Sequence, residues 1–138
     1  MVKLFVGPKG SGKTKKLIEM ANEIRKTARG SVVFVNKDSR LMCNLHYSIR
    51  LLNIQDYEIE NVDNYIGFLY GILSSDHDIE FIFIDSLLRH TNINMENVPS
   101  FLEKLTKISE KYGMDFIVSI SSRLEDLPEE IKRYDILK

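Results

Sequence analysis

The stretch FVGPKGSGKTKKLIEM, from Phe5 to Met20, contains an apolar run, a glycine-rich segment and the start of an amphipathic pattern in direct succession. The apolar run, which begins at Val2, is typical of a buried strand. From Leu17 onward, apolar residues recur at the spacing of one helical face. Glycines between the two allow the backbone to turn sharply. The stretch therefore predicts a strand that passes through a tight turn into the first residues of a helix.

Within this stretch, Gly7, Gly12, Lys13 and Thr14 complete the pattern G-x-x-x-x-G-K-[ST], the P-loop or Walker A motif. In such a loop, backbone N–H groups and the positive end of a helix surround phosphate. The pattern predicts that Lys13 reaches the β- and γ-phosphates and that the Thr14 hydroxyl binds Mg²⁺. The alternative, glycines that serve only the turn, leaves the Lys-Thr pair unexplained. The residues expected around the nucleotide phosphates are Gly7, Pro8, Lys9, Gly10, Ser11, Gly12, Lys13, Thr14 and Lys15.

A P-loop also needs an acidic residue on a neighbouring strand to hold the metal. The continuous apolar segment IEFIFI, residues 79–84, runs directly into Asp85. We expect Asp85 to be the carboxylate on the Mg²⁺ side, acting through water. The alternative is an aspartate that caps the turn after the strand.

Segments of strand length alternate with helical patterns along the rest of the chain. The predicted strands are VKLFVG at 2–7, SVVFVN at 31–36, YEIENV at 57–62, IEFIFID at 79–85 and DFIVSISS at 115–122, with YDILK at 134–138 beginning another. Helices are predicted after the glycine-rich segment, over 39–52, from a cap at Asp63, from a capping box at Ser100 and Glu103, and briefly after Asp126. Continuous apolar strands alternating with amphipathic helices predict an α/β three-layer sandwich with a mainly parallel sheet.

Composition narrows the classes of function. The 138 residues fit one nucleotide-binding domain, and the net charge of −1 gives no general attraction to nucleic acid or to an anionic membrane. The single cysteine, Cys43, excludes an internal disulfide. The first residues lack the layout of a signal peptide, and no apolar run approaches the roughly 20 residues that span a bilayer. We therefore expect a cytoplasmic protein.

The arrangement of these motifs resembles the RecA-like ATPases over most of the chain. The resemblance is carried by GPKGSGKT at 7–14, by IDS at 84–86 and by the order of strands and helices. It implies that DFIVSISS lies between the P-loop strand and the strand ending at Asp85. It also implies ATP and Mg²⁺ as ligands. A stretch NKDS at 36–39 lacks the last residue of the guanine-reading motif N-K-x-D and follows the wrong strand, so GTP is not expected.

The same resemblance implies two further catalytic positions. Members of the group carry a catalytic Glu at the end of the second strand, where this chain has Asp38. Asp38 is then the residue that orients the attacking water; alternatively, Asp38 or Ser39 caps the following helix. A polar residue that senses the γ-phosphate is implied at Ser121 or Ser122, against the alternative of ordinary polarity at a strand end.

Several features separate this chain from the larger members of the group. Residues 86–99 are few and contain no glycine, and an acidic cluster follows Arg123, so DNA-translocating activity and nucleic-acid binding are not expected. Arg89 is predicted to be a solvated loop residue or a contact for a partner. The expected function is a slow Mg²⁺-dependent ATPase; the alternative is a non-catalytic ATP-binding module that docks on an unknown protein. A nucleoside kinase of the thymidine-kinase type fits poorly, because Ser86 and a lone cysteine replace its acid and its zinc ligands.

Overall fold

Six parallel strands form a single sheet in a computed structural model that describes residues 1–37, 42–89 and 93–137. The strands are β1 (Val2–Gly7), β2 (Ser31–Asn36), β3 (Arg50–Asn53), β4 (Ile79–Ile84), β5 (Asp115–Ser121) and β6 (Asp135–Leu137). Their order across the sheet is β3-β2-β4-β5-β1-β6. All neighbouring pairs run parallel, which confirms the predicted α/β class and its parallel sheet.

Helices connect the strands and cover the sheet. They are α1 (Lys13–Thr27), α2 (Val62–Ser75), α3 (Val98–Tyr112) and the short α4 (Glu129–Lys132). Short 3-10 turns occupy Met42–Asn44, Ile54–Asp56, Leu87–Arg89 and Leu124–Asp126. Helix α1 packs its apolar face into a cluster with Phe5 and Phe83. Helices α2 and α3 pack into a separate cluster with Leu4 and Ile82. Adjacent strand residues thus point to opposite faces, an arrangement consistent with the predicted three layers.

The strand order brings distant parts of the sequence to one edge of the sheet. Strand β5 lies between β1 and β4, the position predicted for DFIVSISS. In the register of these pairs, Gly7 lies opposite Ser121 and Ile84 lies opposite Val118. The carboxyl ends of β1, β4 and β5 therefore meet, and this is the edge at which parallel α/β sheets bind ligands.

The segment between β2 and α2 differs from the prediction. A helix over 39–52 is wrong for the described part, because residues 50–53 form edge strand β3, paired with residues 33–36. The strand expected at 57–62 is also wrong, since this segment leads into α2 without joining the sheet. The apolar residues Ile49 and Ile59 are buried as loop residues.

Two helix starts also differ from their predictions. Asn61, not Asp63, caps α2, because its side-chain oxygen accepts the N–H of Asn64 at 2.8 Å. Helix α3 begins at Val98 after Asn97, so the predicted capping box of Ser100 and Glu103 lies inside the helix.

Among the described helices, none combines the length and the apolar character needed to cross a membrane.

Candidate functional site

A glycine-rich turn, residues 8–12, joins β1 to α1 at the carboxyl edge of the sheet. Gly10 and Gly12 have φ angles of 81° and 83°, which favour glycine. Gly12 caps α1 without a side-chain hydrogen bond, and the first turn of α1 contains no acidic residue. A side chain at Gly7 would place its Cβ 2.8 Å from the Ser11 hydroxyl. The turn is thus compact, and its backbone leaves the positive end of α1 without a capping side chain.

Lys13 is the first residue of α1, and its side chain folds back over the turn. The side chain is only 6% exposed, and Nζ donates to the Pro8 carbonyl oxygen at 3.0 Å. Burial lowers the pKa of Lys13, and the nearby negative charge of Asp85 opposes this shift. The ammonium group is therefore held beside the turn, close to a buried carboxylate.

Thr14 and Asp85 join the start of α1 to the end of β4. The Thr14 hydroxyl donates to Asp85 Oδ2 at 2.9 Å, with Oδ1 at 3.2 Å. Asp85 is 4% exposed, and its N–H donates to the Val35 carbonyl at 2.9 Å, which continues the ladder between β2 and β4. Because the carboxylate is fixed by the sheet and the hydroxyl by the helix, the pair defines one wall of the site.

Ser119 provides a second hydroxyl for Asp85 from within β5. It is fully buried, and its Oγ donates to Asp85 Oδ1 at 3.0 Å while accepting the N–H of Ser86 at 2.6 Å. Ser86 has a φ of 55°, a left-handed conformation that is uncommon outside glycine. Ser119 thus connects the carboxylate to the backbone that turns away from the sheet after β4. Sequence reasoning assigned no role to this serine; the available signal was a polar residue inside an otherwise apolar run.

A cleft of about 440 Å³ opens beside these groups. The residues that line it are Lys9, Gly10, Gly12, Lys13, Thr14, Ser86, Arg89 and Ser121. Within the part of the lining that the structure describes, three residues carry positive charge and none is acidic. Together with the uncapped end of α1, this lining makes the cleft suited to an anion with several charges.

Five of the nine residues expected around the phosphates line this cleft: Lys9, Gly10, Gly12, Lys13 and Thr14. Gly7, Pro8 and Ser11 belong to the adjoining strand end and turn without being among the described lining residues. Ser121 lines the cleft, whereas Ser122 donates its N–H to the Gly7 carbonyl at 3.0 Å and its hydroxyl to a neighbouring carbonyl. Lys15 is exposed and lines a separate surface pocket on α1 with Glu19. The predicted water-orienting residue, Asp38, lies outside the described residues.

The oxygens of Thr14 and Asp85 suit a magnesium ion whose remaining ligands are water and phosphate oxygens. Mg²⁺ binds oxygen and is usually held through one or two protein groups together with substrate phosphates. A hydroxyl that donates its proton to a carboxylate, as Thr14 does, retains lone pairs for a cation. Nowhere in the described ranges do three or more His, Cys, Asp or Glu side chains gather as an all-protein metal cage.

No protein-family model matches the chain, and no curated protein matches it either. What the molecule does is therefore inferred from its residues and their geometry.

Proposed function

We propose that the protein binds ATP with Mg²⁺ in this cleft and hydrolyses it slowly, as a minimal single-domain P-loop NTPase of the RecA-like kind. The observation that carries the proposal is the hydrogen bond of 2.9 Å from Thr14 to Asp85 beside the buried ammonium of Lys13. A hydroxyl, a carboxylate and a lysine in this relation are the groups that a metal–triphosphate complex requires. The position of β5 between β1 and β4 also supports the RecA-like assignment.

Phosphate binding is assigned to the glycine-rich turn and the start of α1. Backbone N–H groups from Gly7 to Thr14 would point at the phosphates, and the helix dipole would add its positive end. Lys13 would leave its contact with the Pro8 carbonyl for phosphate oxygens of much higher negative charge. Lys9 adds positive potential at the rim of the cleft.

Thr14 and Asp85 would hold the metal, Thr14 directly and Asp85 through water. When bound, Mg²⁺ neutralises charge on the β- and γ-phosphate oxygens. Asp85 keeps the hydroxyl of Thr14 oriented, and Ser119 keeps Asp85 oriented in turn. These hydrogen bonds fix the two oxygens relative to the sheet, which would limit the reorganisation needed on binding.

Slow hydrolysis follows from the catalytic groups that are present. None of the described cleft-lining residues is acidic. Asp85 already accepts hydrogen bonds from the hydroxyls of Thr14, Ser119 and, at 3.4 Å, Ser86, so it is a poor base for water. Asp38 remains the candidate for orienting the water, with one methylene less reach than Glu. Ser121 lines the cleft, and we assign it a contact with the γ-phosphate, although its side chain is short.

The test is phosphate release from Mg²⁺-ATP by the purified protein. We expect turnover well below about 1 per second, the lower end of ordinary enzymatic rates. Lys13→Ala should remove this turnover, whereas Lys26→Ala, at the far end of the same helix, should leave it unchanged. Equal turnover by the Lys13→Ala protein would show that a contaminant is responsible and would overturn the hydrolysis claim.

Among the residues for which a position is described, the cleft is lined by no acidic group, and this also favours a second candidate, a non-catalytic ATP-binding module. Its ATP-bound form would dock on a partner protein. The two candidates differ in the fate of bound nucleotide after prolonged incubation with Mg²⁺. Persistent ATP supports the binding module, and conversion to ADP that depends on Lys13 supports the slow ATPase.

A further inference from the structure

Arg89 lines the cleft together with residues of the glycine-rich turn and the start of α1. It ends the 3-10 turn Leu87–Arg89, which follows β4 after Asp85 and Ser86. Together with Lys9 and Lys13 it supplies the positive charge of the cleft lining. The sequence predicted a solvated loop residue or a partner contact, and the side chain is indeed exposed, but it faces the same space as the phosphate-binding turn.

The backbone that carries Arg89 is firmly attached to the sheet. Leu87 is fully buried in the cluster under α2 and α3. The N–H of Arg89 donates to the Ser86 carbonyl at 2.9 Å, and the N–H of Ser86 donates to the buried hydroxyl of Ser119. The start of the Arg89 side chain is therefore fixed relative to Asp85, although the guanidinium end remains exposed.

The guanidinium has no acidic partner among the described residues, in contrast to Arg123. Arg123 follows β5 much as Arg89 follows β4, but its Nε lies 3.0 Å from Asp126 and 3.8 Å from Glu125. Arginine stays charged at any physiological pH, so a guanidinium at the cleft without a carboxylate retains its full capacity to bind an anion. Arg123 therefore provides a matched control for charge near the same edge of the sheet.

We propose that Arg89 binds the terminal phosphate of the nucleotide and makes the cleft selective for triphosphates over diphosphates. The inference rests on the proposed function and extends it. The turn and the start of α1 would surround the inner phosphates, and the last phosphate would then extend toward the ends of β4 and β5, where Ser86 and Ser121 line the cleft beside Arg89. A guanidinium can donate two parallel hydrogen bonds to phosphate oxygens. The chain itself would thus supply a positive charge at the terminal phosphate.

The test is isothermal titration of the full chain with Mg²⁺ and either a non-hydrolysable ATP analogue or ADP. For Arg89→Ala we expect the dissociation constant of the triphosphate analogue to rise about 10- to 100-fold, the range of a charge-assisted hydrogen bond. The dissociation constant of ADP should change less than about threefold, within the range of a surface substitution. Arg89→Lys should restore part of the triphosphate affinity, and Arg123→Ala should alter neither constant.

The titration with ADP distinguishes a failure of the proposed role of Arg89 from a failure of the proposed function. An Arg89→Ala protein that binds both nucleotides as tightly as the unmodified protein overturns the role of Arg89. Equal weakening toward ADP and the triphosphate overturns the selectivity. If the unmodified protein binds neither nucleotide, the proposed function fails, and the role of Arg89 fails with it.

Discussion

Thr14 and Asp85 are 71 residues apart in sequence, yet the Thr14 hydroxyl lies 2.9 Å from the Asp85 carboxylate. The contact ties the first turn of α1 to the end of β4, across a sheet position occupied by β5. It depends on the strand order, because only a crossover of the chain brings these two ends to the same edge. The hydroxyl donates its proton to the carboxylate in this hydrogen bond, so its lone pairs remain available to a cation.

Asp85→Asn tests the metal role of this pair, because it keeps the shape of the side chain and removes its charge. We expect Mg²⁺-ATP affinity to fall by about 10-fold or more, the size of one charge-assisted interaction. ATP affinity measured in EDTA should be unchanged or higher, since a negative charge near the phosphates has been removed. Isothermal titration with and without Mg²⁺ measures both.

The control for this change is Asp63→Asn, at an exposed pair with Lys104 on the surface of α2 and α3. It should leave both affinities unchanged, because exposed pairs contribute little. If Asp85→Asn lowers affinity equally with and without Mg²⁺, Asp85 supports the fold of the cleft and does not act on a metal.

Ser119→Ala tests the buried hydroxyl between Asp85 and Ser86. The change removes a donor to Asp85 and leaves the Ser86 N–H without its acceptor. An unsatisfied buried donor costs about 1–3 kcal/mol, so the free energy of unfolding in urea should fall by that amount. Ser74→Ala, on an exposed turn of α2, should change it by less than about 0.5 kcal/mol. Equal stability of the two variants would mean that the Ser86 N–H finds another acceptor.

Gly12→Ala tests the left-handed backbone of the glycine-rich turn separately from steric contact. A Cβ at Gly12 would meet no atom within 4 Å, so the cost is that of its φ of 83°. We expect a loss of about 1–2 kcal/mol in unfolding free energy. Gly67→Ala also meets open space but lies inside α2, and it should stabilise the protein by up to about 1 kcal/mol. Effects of the same sign at both glycines would contradict this account.

The lowered pKa of Lys13 predicts a pH dependence of stability in the unliganded protein. Between the pKa of folded Lys13 and that of the unfolded chain, the unfolded state binds more protons, so stability rises with pH. The free energy of unfolding should therefore increase with pH, relative to that of Lys13→Met, on the approach to about pH 10, the ordinary lysine range. Subtracting the free energies of unfolding of the two proteins cancels the contribution of other titrating groups, such as the buried Tyr65. A difference that is constant or falls with pH would contradict the burial of the ammonium.

The apolar runs were sufficient to predict the parallel sheet and the edge at which the candidate site lies. Strands buried on both faces are continuous in sequence, so β1, β2, β4 and β5 could be recognised directly. Gly7, Lys13, Thr14 and Asp85 could then be assigned to one edge, because parallel strands present their carboxyl ends together. The turn into α1 was predictable for a local reason, since its glycines adopt conformations that other residues avoid.

Features that depend on tertiary pairing could not be read in this way. Leu45, Ile49 and Leu52 recur at helical spacing, but residues 50–53 gain more from pairing with β2 as a short edge strand. Asn61 and Asp63 are both good capping residues two positions apart, and local chemistry does not separate them.

The roles of two site residues depend on neighbours that the sequence does not identify. Ser119 matters because β5 lies beside β4, which places its hydroxyl on Asp85. Arg89 lines the cleft, whereas the sequence showed only an arginine in a polar loop.

The most direct test of the central claim is the binding of Mg²⁺-ATP, measured by isothermal titration of the unmodified protein, Lys13→Ala and Lys26→Ala. Lys26 lies in the last turn of α1 in an exposed pair with Glu23, about 20 Å along the helix from Lys13 at 1.5 Å per residue. We predict saturable binding of one nucleotide that Lys13→Ala abolishes and Lys26→Ala preserves. No binding by the unmodified protein, or binding that persists in Lys13→Ala, would contradict a nucleotide site at the glycine-rich turn.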